Sequence, residues 1–222
     1  MTRAVLWDLD GTLIDSEEFH WLSWRHALHA DGVEISRAQF LASFGQRNDR
    51  ILHAWLGEQA PADRVRRLGE AKEVEYRRLV ETRGQTPLPG AADWLVRLHA
   101  AGWRQAIASS APRLNVDVML RVLSLTPYFD AIVSAEDVTM GKPDPQVFQA
   151  AAARLGVPPS HCVVVEDAAA GVEAARRAGM RSIGVNRTHT LDADLFARSL
   201  ADLPPDAFDR ILMDGRGQPP AT

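Results

Sequence analysis

Apolar stretches of four or five residues recur along the chain, and each is followed at once by polar side chains. The clearest three are Ala4 to Trp7 before Asp8, Gln105 to Ala108 before Ser109, and Cys162 to Val165 before Glu166. Short continuous apolar runs are typical of strands that are buried on both faces of a parallel sheet. We predict three further strands, at Ala131 to Ser134, Arg181 to Val185 and Arg210 to Met213.

Helical patterns lie between these strands, and they end at glycine. The patterns are Ala91 to Ala101, Pro145 to Leu155 and Gly171 to Ala178, followed by Gly102, Gly156 and Gly179. Glycine directly after a helix is a common C-terminal cap. The alternation of strands and helices predicts an α/β fold, a doubly wound parallel sheet with a Rossmann-like core. The ligand crevice of such a sheet lies at the carboxyl ends of its strands.

Residues 16–86 break this alternation, because they contain helical patterns without a convincing strand. Helix-start signals mark three places: Ser36 with Gln39 as a capping box, Asn48 with Asp49, and Pro61 before a long polar helix that ends near Gly84. We therefore predict a small helical cap domain over residues 16–86, inserted into a core domain of residues 1–15 and 87–222. An insertion that leaves from the carboxyl end of a strand covers the crevice as a lid.

Composition and charge narrow the class of ligand. The 222 residues carry a net charge of -4 with scattered basic side chains, which predicts neither a nucleic-acid nor a membrane partner. The apolar run that begins at Ala4 is too short for a signal peptide or a membrane span, so we expect a cytoplasmic protein. We also expect a monomer that binds a small molecule, a loose tail over residues 215–222, and a buried, reduced thiol at Cys162, the only cysteine.

Two aspartates follow the first predicted strand, in the segment Asp8 to Leu13. Residues two apart on an extended chain share a side, and Gly11 allows a sharp turn directly after them. Two carboxylates so close repel each other unless a cation joins them. A helix cap or an exposed loop would account for one aspartate but not for both.

A second acidic pair, Glu166 and Asp167, follows the strand Cys162 to Val165. Because the carboxyl ends of parallel strands meet at one edge of a sheet, we expect the two acidic pairs to converge. Hard oxygen donors suit Mg²⁺, which needs few protein ligands and leaves room for water and a phosphate oxygen. We therefore predict Mg²⁺ as the cofactor.

Two further features suit the binding of phosphate. Ser109 and Ser110 stand between a strand and a helix, where hydroxyls and helix-start N–H groups can hold phosphate oxygens, although serine is also a common helix cap. Lys142 is one of only two lysines among 25 basic residues. Its compact ammonium could neutralise both a nucleophilic aspartate and an incoming phosphate.

These motifs, in this order, resemble the haloacid dehalogenase superfamily of phosphohydrolases over nearly the whole chain. The closest resemblance is to the subgroup of beta-phosphoglucomutases and sugar-phosphate phosphatases. It implies that Asp8 is the nucleophile, that Asp10 is first general acid and then base, and that Ser109 and Lys142 bind the transferring phosphoryl group. The implied Mg²⁺ ligands are Asp8, the backbone carbonyl of Asp10, Glu166 and Asp167.

Cap residues resemble substrate contacts of the same subgroup. His20 and Lys72 match a histidine and a lysine there, and the loop around Gly45 resembles its specificity loop, with a spacing to the arginine one residue shorter than in the mutases. The alternatives are a surface histidine at His20 and a solvated pair of Lys72 with Glu75. The candidate substrate-binding residues are His20, Lys72, Gly45, Arg47, Ser110 and Thr12.

The predicted function is a Mg²⁺-dependent phosphatase that hydrolyses small phosphorylated metabolites, sugar phosphates in particular, through an aspartyl-phosphate intermediate. Ala111-Pro112-Arg113 stands where the mutases carry a polar run that holds a bisphosphate, and this favours the phosphatase. His20 and Lys72 favour the alternative, a beta-phosphoglucomutase that interconverts beta-glucose 1-phosphate and glucose 6-phosphate.

Three other functions are disfavoured by the same residues. Dehalogenation needs no acid such as Asp10, because a halide leaves without a proton. Phosphonate cleavage through a Schiff base needs a lysine in the cap, where Lys72 is the only one. A non-catalytic phosphate-binding module has no use for the acids, and all of them are present.

Overall fold

A parallel sheet of six strands forms the centre of the computed structural model, which describes residues 2–214. The strands are β1 (Ala4–Trp7), β2 (Arg104–Ala108), β3 (Ala131–Val133), β4 (Cys162–Glu166), β5 (Arg181–Val185) and β6 (Leu195–Ala197). Their order across the sheet is β3-β2-β1-β4-β5-β6, so the chain begins in the middle and winds outward in both directions. This arrangement confirms the predicted doubly wound, Rossmann-like α/β fold.

The helices after residue 86 alternate with strands as the sequence predicts, whereas those before it follow one another without a strand between them. They are α1 (Glu17–His29), α2 (Arg37–Ser43), α3 (Asn48–Leu56), α4 (Ala62–Arg83), α5 (Ala91–Ala100), α6 (Arg113–Val122), α7 (Gln146–Leu155), α8 (Ala169–Arg177) and α9 (Ala207–Asp214). The glycines predicted to end α5, α7 and α8 all have positive φ angles, 75° at Gly102, 65° at Gly156 and 72° at Gly179. Glycine adopts this conformation without the strain that a side chain would cause.

Both faces of the central strands are buried, which explains their continuous apolar runs. Along β1, Val5 and Trp7 pack into the apolar cluster on one face of the sheet, whereas Ala4 and Leu6 pack into the cluster on the other face. All four side chains are inaccessible to solvent. The sheet is therefore a buried layer between two layers of helices, as parallel sheets generally are.

Strand register brings the predicted site segments to one edge of the sheet. Trp7, the last residue of β1, pairs with Ile107 of β2 on one side and with Val165 of β4 on the other. The residues that follow these three strands therefore emerge side by side. The carboxyl edge of the sheet is where ligands bind in folds of this class.

Four helices, α1 to α4, lie between β1 and α5 and have an apolar cluster of their own. The buried members of this cluster are Trp24, Leu28, Phe40, Ile51, Leu52, Val65 and Leu68. Ser36 and Gln39 form the predicted capping box at the start of α2. Pro61 precedes α4, and Gly84 follows that helix with a φ angle of 71°, both as predicted.

The two connections between these helices and the rest of the chain run side by side. Ile14 forms an antiparallel bridge with Pro87, and the Leu88 N–H donates to the Leu13 carbonyl at 2.8 Å. The chain thus leaves and returns at neighbouring points, which is the arrangement that a hinged insertion requires.

Three details of the sequence prediction are wrong. Residues Arg210 to Met213 are not a strand but belong to α9, because the apolar side chains of Phe208, Ile211 and Leu212 recur at helical spacing and pack on the sheet. Strand β6 was not predicted, because it has only three residues, few apolar residues flank it in the sequence, and its side chains are only partly buried. Asn48 does not cap α3 but is its first residue, and no side chain caps that helix.

Two other predictions concern the thiol of Cys162 and the C-terminal tail. The thiol of Cys162 is buried and free, and burial raises its pKa to about 12, so it fits a packing role. The predicted loose tail, residues 215–222, lies outside the described residues. None of the helices within residues 2–214 combines the length and the apolar character needed to cross a membrane.

Helix α9 supplies an aromatic side chain that completes the core, and this leads to a test of stability. The ring of Phe208 lies 4.9 Å from that of Trp94, 5.9 Å from Trp7 and 6.0 Å from Trp103, measured between ring centroids. We expect Phe208→Ala to lower the free energy of unfolding by about 3–5 kcal/mol, because it leaves a cavity among three indole rings. Urea unfolding measures the change.

The matched control for this substitution is Met213→Ala in the same helix, where the side chain is 65% exposed. Its effect should stay within about 0.5 kcal/mol. Equal losses in the two variants would show that α9 does not pack on the core as described.

Candidate active site

Asp8 stands at the carboxyl end of β1 in direct contact with Lys142. Its backbone N–H donates to the Val165 carbonyl at 3.0 Å, which fixes the residue between β1 and β4. The Lys142 ammonium lies 2.6 Å from Asp8 Oδ1 and also contacts Glu166 Oε1. One lysine thus joins carboxylates at the ends of two neighbouring strands.

Asp8, Glu166 and Asp167 form a compact cluster. One carboxylate oxygen from each lies within 4.8 Å of the others, and this is the only group of possible metal ligands found within residues 2–214. The second oxygen of Glu166 accepts hydrogen bonds from the N–H groups of Asp167 and Ala168, both at 3.1 Å. The side chain of Asp10 is not part of this cluster.

Two glycines leave room for the acids. Gly11 has a φ angle of 90°, and a Cβ atom there would lie less than 3.0 Å from Asp167 Oδ2. A Cβ atom on Gly171, in the first turn of α8, would lie less than 3.0 Å from Glu166 Cδ. Real Cβ atoms do not approach so closely, so a side chain at either position would force the facing carboxylate to shift.

The charges of this cluster do not balance within the protein. Burial, together with the charges of Glu166 and Asp167, raises the pKa of Asp8 well above its usual value despite the opposing effect of Lys142. Burial and the charge of Glu166 likewise raise the pKa of Asp167 to about 7. Although burial alone would lower the pKa of Lys142, its two ion pairs raise it, so the ammonium keeps its charge.

A divalent cation fits this donor set. The buried carboxylates of Asp8 and Glu166 and the partly buried one of Asp167 face a single ammonium, and Asp167 has no ion pair of its own among the described residues. A cation placed among the oxygens would favour the charged form of each carboxylate. Hard oxygen donors in a small cluster match the preference of Mg²⁺.

Asp10 occupies a separate environment, two residues after Asp8. The Ser16 hydroxyl donates to Asp10 Oδ1, and Nε2 of His20 lies 3.5 Å from the same oxygen. Burial alone would raise the pKa of Asp10, but the hydrogen bonds from His20 and Ser16 and the charges of His20 and Lys72 bring it below the usual value. The two aspartates of the first motif are therefore held in opposite electrostatic states, a pattern typical of acid–base sites.

His20 is not a surface residue. Its side chain is 13% exposed, and its ring stacks on that of Tyr76 with centroids 4.2 Å apart and planes 20° apart. Burial and the nearby charge of Lys72 lower the pKa of His20, against the opposing effect of Asp10. The alternative of an exposed helix histidine is excluded by this position.

Ser109, Ser110 and Arg47 line one small cavity together with Lys142. Ser109 is buried, its N–H donates to the Val133 carbonyl, and its hydroxyl accepts from the Ala111 N–H at 3.0 Å. Arg47 reaches this cavity from the cap helices, with its side chain 45% exposed. The structure thus brings a cap arginine to the predicted phosphate-binding residues.

A larger cavity lies at the opposite, amino-terminal end of β4 and β5. His161, Arg181 and Leu212 are among its lining residues, and none of the predicted site residues lines it. The smaller cavity is the candidate site, because Lys142, which contacts Asp8 and Glu166, lines it together with Ser109 and Ser110.

Lys72 is buried instead of solvated, so the alternative of an exposed pair with Glu75 is wrong. Its ammonium lies 2.8 Å from Glu73 Oε1 and 5.4 Å from the ring centroids of both Trp24 and Tyr76. Glu75 pairs with Arg78 instead. Burial lowers the pKa of Lys72, although the charge of Glu73 opposes the shift.

Gly45 and Thr12 are the other two residues predicted to bind substrate. Gly45 has a φ angle of 82° in the loop between α2 and α3, with open space around it. Thr12 is fully buried, and its hydroxyl has no hydrogen-bond partner among residues 2–214. Their assignment to substrate binding stays a prediction.

Sequence reasoning missed several residues that position the site. They are Ser16 and Tyr76 beside Asp10 and His20, Glu73 and Asn115 beside Lys72, and Asn186, whose side chain donates to the Asp167 carbonyl at 2.9 Å. Ser16 had a signal, since it stands directly before a helix and six residues after Asp10. Glu73 is next to Lys72 in sequence but 42 residues from Asn115, its partner across the helices. Tyr76, Asn115 and Asn186 are distant in sequence from the residues that they contact, and no local pattern marks them.

Comparison with known proteins places the chain in a well-populated group. The model of the haloacid dehalogenase-like hydrolase family matches residues 2–179. A beta-phosphoglucomutase of Bacillus subtilis (strain 168) is 33% identical over 210 residues, which cover 90% of this chain and 91% of that protein. Hexitol phosphatase B of Escherichia coli (strain K12) is 33% identical over 208 residues, covering 90% and 93%.

The fold has counterparts of known structure. A beta-phosphoglucomutase from Clostridium difficile superposes with a TM-score of 0.87 at 26% identity, and the match covers 98% of this chain and all of that one. The match includes the helices α1 to α4 as well as the sheet, because so little of this chain is left out.

The close approach of Gly171 to Glu166 leads to a test of the acidic cluster. We expect Gly171→Ala to lower the free energy of unfolding by about 1–3 kcal/mol, because the added methyl group overlaps the Glu166 carboxylate and would displace it from Lys142 and two backbone N–H groups. The variant should also bind Mg²⁺ more weakly than the parent in titration calorimetry.

Gly69→Ala serves as the matched control, since Gly69 is also helical and a Cβ atom there would meet nothing closer than 3.7 Å. Alanine is the better helix former, so this variant should be no less stable than the parent. A Gly171→Ala protein with unchanged stability and Mg²⁺ affinity would contradict the described position of Glu166.

The raised pKa of Asp167 leads to a prediction of how Mg²⁺ stabilises the fold. The pKa of Asp167 is about 7 in the folded chain, against an ordinary value of 3.8. Between these values the folded chain holds a proton that the unfolded chain has lost, so without a cation the free energy of unfolding falls as the pH rises. We therefore expect Mg²⁺ to raise the melting temperature more at about pH 8 than at about pH 5.5.

Thermal unfolding with and without a chelator measures this dependence. Asp167→Asn removes the titrating group and should reduce the difference between the two pH values. A stabilisation by Mg²⁺ that is equal at both, or larger in acid, would contradict the charge distribution described for the cluster.

Proposed function

The chain belongs to the haloacid dehalogenase-like hydrolases, and from this premise we propose that it is a Mg²⁺-dependent phosphatase of small phosphorylated metabolites, sugar phosphates in particular. The family match and the relatives identify an enzyme of the sugar phosphatase and phosphomutase group. The reaction and the residue roles given below are our proposal. The observation that carries it is the contact of one ammonium, Lys142, with Asp8 and Glu166.

Asp8 is the proposed nucleophile. Its carboxylate attacks the phosphorus atom, the bond between phosphorus and the ester oxygen breaks, and a phosphoryl group is transferred to Asp8. Approach of one anion to another is the main obstacle, and phosphoryl transfer depends largely on positioning and charge neutralisation. Lys142 supplies one positive charge beside Asp8, and Ser109 and Ser110 supply hydroxyl groups for the phosphoryl oxygens.

Asp10 is the proposed proton carrier. It gives a proton to the departing ester oxygen and then takes one from the water molecule that attacks the aspartyl phosphate, which releases phosphate and restores Asp8. The hydrogen bonds from Ser16 and His20 favour the charged, base form of Asp10. The negative charge of a bound phosphate would raise its pKa and favour the acid form that the first step needs.

Asp8, Glu166 and Asp167 are the proposed protein ligands of Mg²⁺, with the backbone carbonyl of Asp10. When bound, the ion would neutralise negative charge and polarise a phosphoryl oxygen. Burial and the neighbouring acids raise the pKa of Asp8, and the positive charge of a bound cation would favour the unprotonated form that a nucleophile requires.

The loop after Ser109 and Ser110 favours a phosphatase over a mutase. The Ala111 N–H donates to Ser109 Oγ, Pro112 has no N–H, and the Arg113 N–H donates to Glu136 at 2.9 and 3.1 Å. The Arg113 guanidinium is turned to Asp117, with Nε 2.9 Å from its carboxylate. The backbone donors of these three residues are thus already used or missing, whereas a bisphosphate-dependent mutase must hold a second phosphate.

A phosphomutase is the second candidate. The position of His20 3.5 Å from Asp10 supports it, since a histidine there could assist a second proton transfer to a sugar hydroxyl. The beta-phosphoglucomutases among the relatives and solved structures support it as well.

Steady-state assays with Mg²⁺ over a panel of sugar monophosphates test the proposal. We expect release of inorganic phosphate from at least one member without a bisphosphate activator. Asp8→Asn should reduce turnover by about 10³-fold or more, the scale seen when a covalent nucleophile is removed.

Asp15→Asn is the matched control, because Asp15 lies in the same segment but is 53% exposed and pairs with Arg187. Its turnover should equal that of the parent. Conversion of beta-glucose 1-phosphate to glucose 6-phosphate that depends on a bisphosphate, without phosphate release, would favour the mutase. Unchanged turnover in Asp8→Asn would remove Asp8 as nucleophile.

A further inference from the structure

A buried polar cluster joins the cap helices to the core at a distance from the acids. Glu73, on the cap helix α4, is 7% exposed, and Asn115, on the core helix α6, is 2% exposed. The Asn115 amide donates to Glu73 Oε2, and Asn115 Oδ1 accepts from Arg77 Nη1 at 2.9 Å. Asn115 therefore holds two residues of α4 that stand one helical turn apart.

Glu73 uses both of its oxygens in this cluster. Oε1 accepts from the Lys72 ammonium at 2.8 Å and from Asn48 Nδ2, at the start of α3, at 2.6 Å. Oε2 faces the core through Asn115. One carboxylate thus connects two cap helices, the buried lysine and the core, and each of these bonds involves a charged group in a water-poor setting.

The cluster also reaches the proton-transfer residues. Lys72 lies close enough to Asp10 and His20 for its charge to influence the pKa of both. Tyr76, one turn after Lys72 on α4, stacks on His20. A shift of α4 relative to α6 would therefore move groups that border Asp10.

We propose that Glu73 and Asn115 form a clasp that holds the helical cap on the core and sets the position of Lys72 beside the site. They are positioning residues, since neither touches the acids at the end of the sheet. The clasp rests on the proposed function only in that turnover is read as phosphate release.

A pair of substitutions that moves the carboxylate from residue 73 to residue 115 tests the clasp. Glu73→Gln places a donor group opposite the Asn115 amide, and Asn115→Asp places a carboxylate opposite that of Glu73, so each single variant loses the bond. In the double variant, the new amide donates to the new carboxylate, the amide oxygen still accepts from Lys72, and Arg77 keeps an acceptor. We expect each single variant to raise KM about tenfold with a smaller change in kcat, and the double variant to recover most of the loss.

Hydrogen exchange gives a second measurement that is independent of activity. Peptides that cover α4 and α6 should exchange faster in Asn115→Ala than in the parent, because the two helices separate more often. The matched control is Arg121→Ala, which removes an exposed contact between the same two helices, to Glu81, and should change neither exchange nor KM.

The outcomes separate the clasp from the proposed function. A double variant no better than the worse single variant, or exchange in Asn115→Ala equal to that of the parent, would overturn the clasp. If the parent released no phosphate, the proposed function would fail, while the exchange measurements would still test the clasp.

Discussion

Three carboxylates crowded beside one ammonium at the carboxyl edge of the sheet are the constraint on which the rest of the site depends. One carboxylate oxygen from each of Asp8, Glu166 and Asp167 lies within 4.8 Å of the others, and a side chain at Gly11 or Gly171 would displace one of these acids. Such a cluster destabilises an isolated protein, since burial and repulsion both oppose the charged forms. Its retention makes chemical sense if a cation and a phosphate anion complete it.

Much of the core could be predicted because its signals are local. The strands β1, β2 and β4 are continuous apolar runs that end in chemically distinctive residues, and a parallel sheet necessarily brings such ends together. Asp8, Ser109 and Glu166 were therefore placed at one edge from sequence. By contrast, β6 escaped prediction because it is a short, partly exposed edge strand, and residues 210–213 were misread because three adjacent apolar residues look alike in a strand and in a buried helix.

In the cap, less could be predicted from the sequence. Its helices could be predicted from capping signals, but the contacts of its polar residues could not, since they depend on how helices pack. Glu73 and Asn115 are 42 residues apart on helices of different modules, and no periodicity in either helix points to the other. Lys72 was expected to bind either substrate or solvent. Its burial against Glu73 and two aromatic rings is a property of the folded cap alone.

The pKa values of Asp8 and Asp10 shift in opposite directions because different residues surround the two carboxylates. Asp8 faces the acids and Lys142 of the core, whereas Asp10 is bound by Ser16 and His20 at the start of the first cap helix. Under the proposed roles, the core therefore sets the environment of the nucleophile and the cap that of the proton carrier. Because two neighbouring segments attach the cap, the position of the cap on the core decides whether Asp10 has both partners, and we expect the proposed proton transfer to depend on that position.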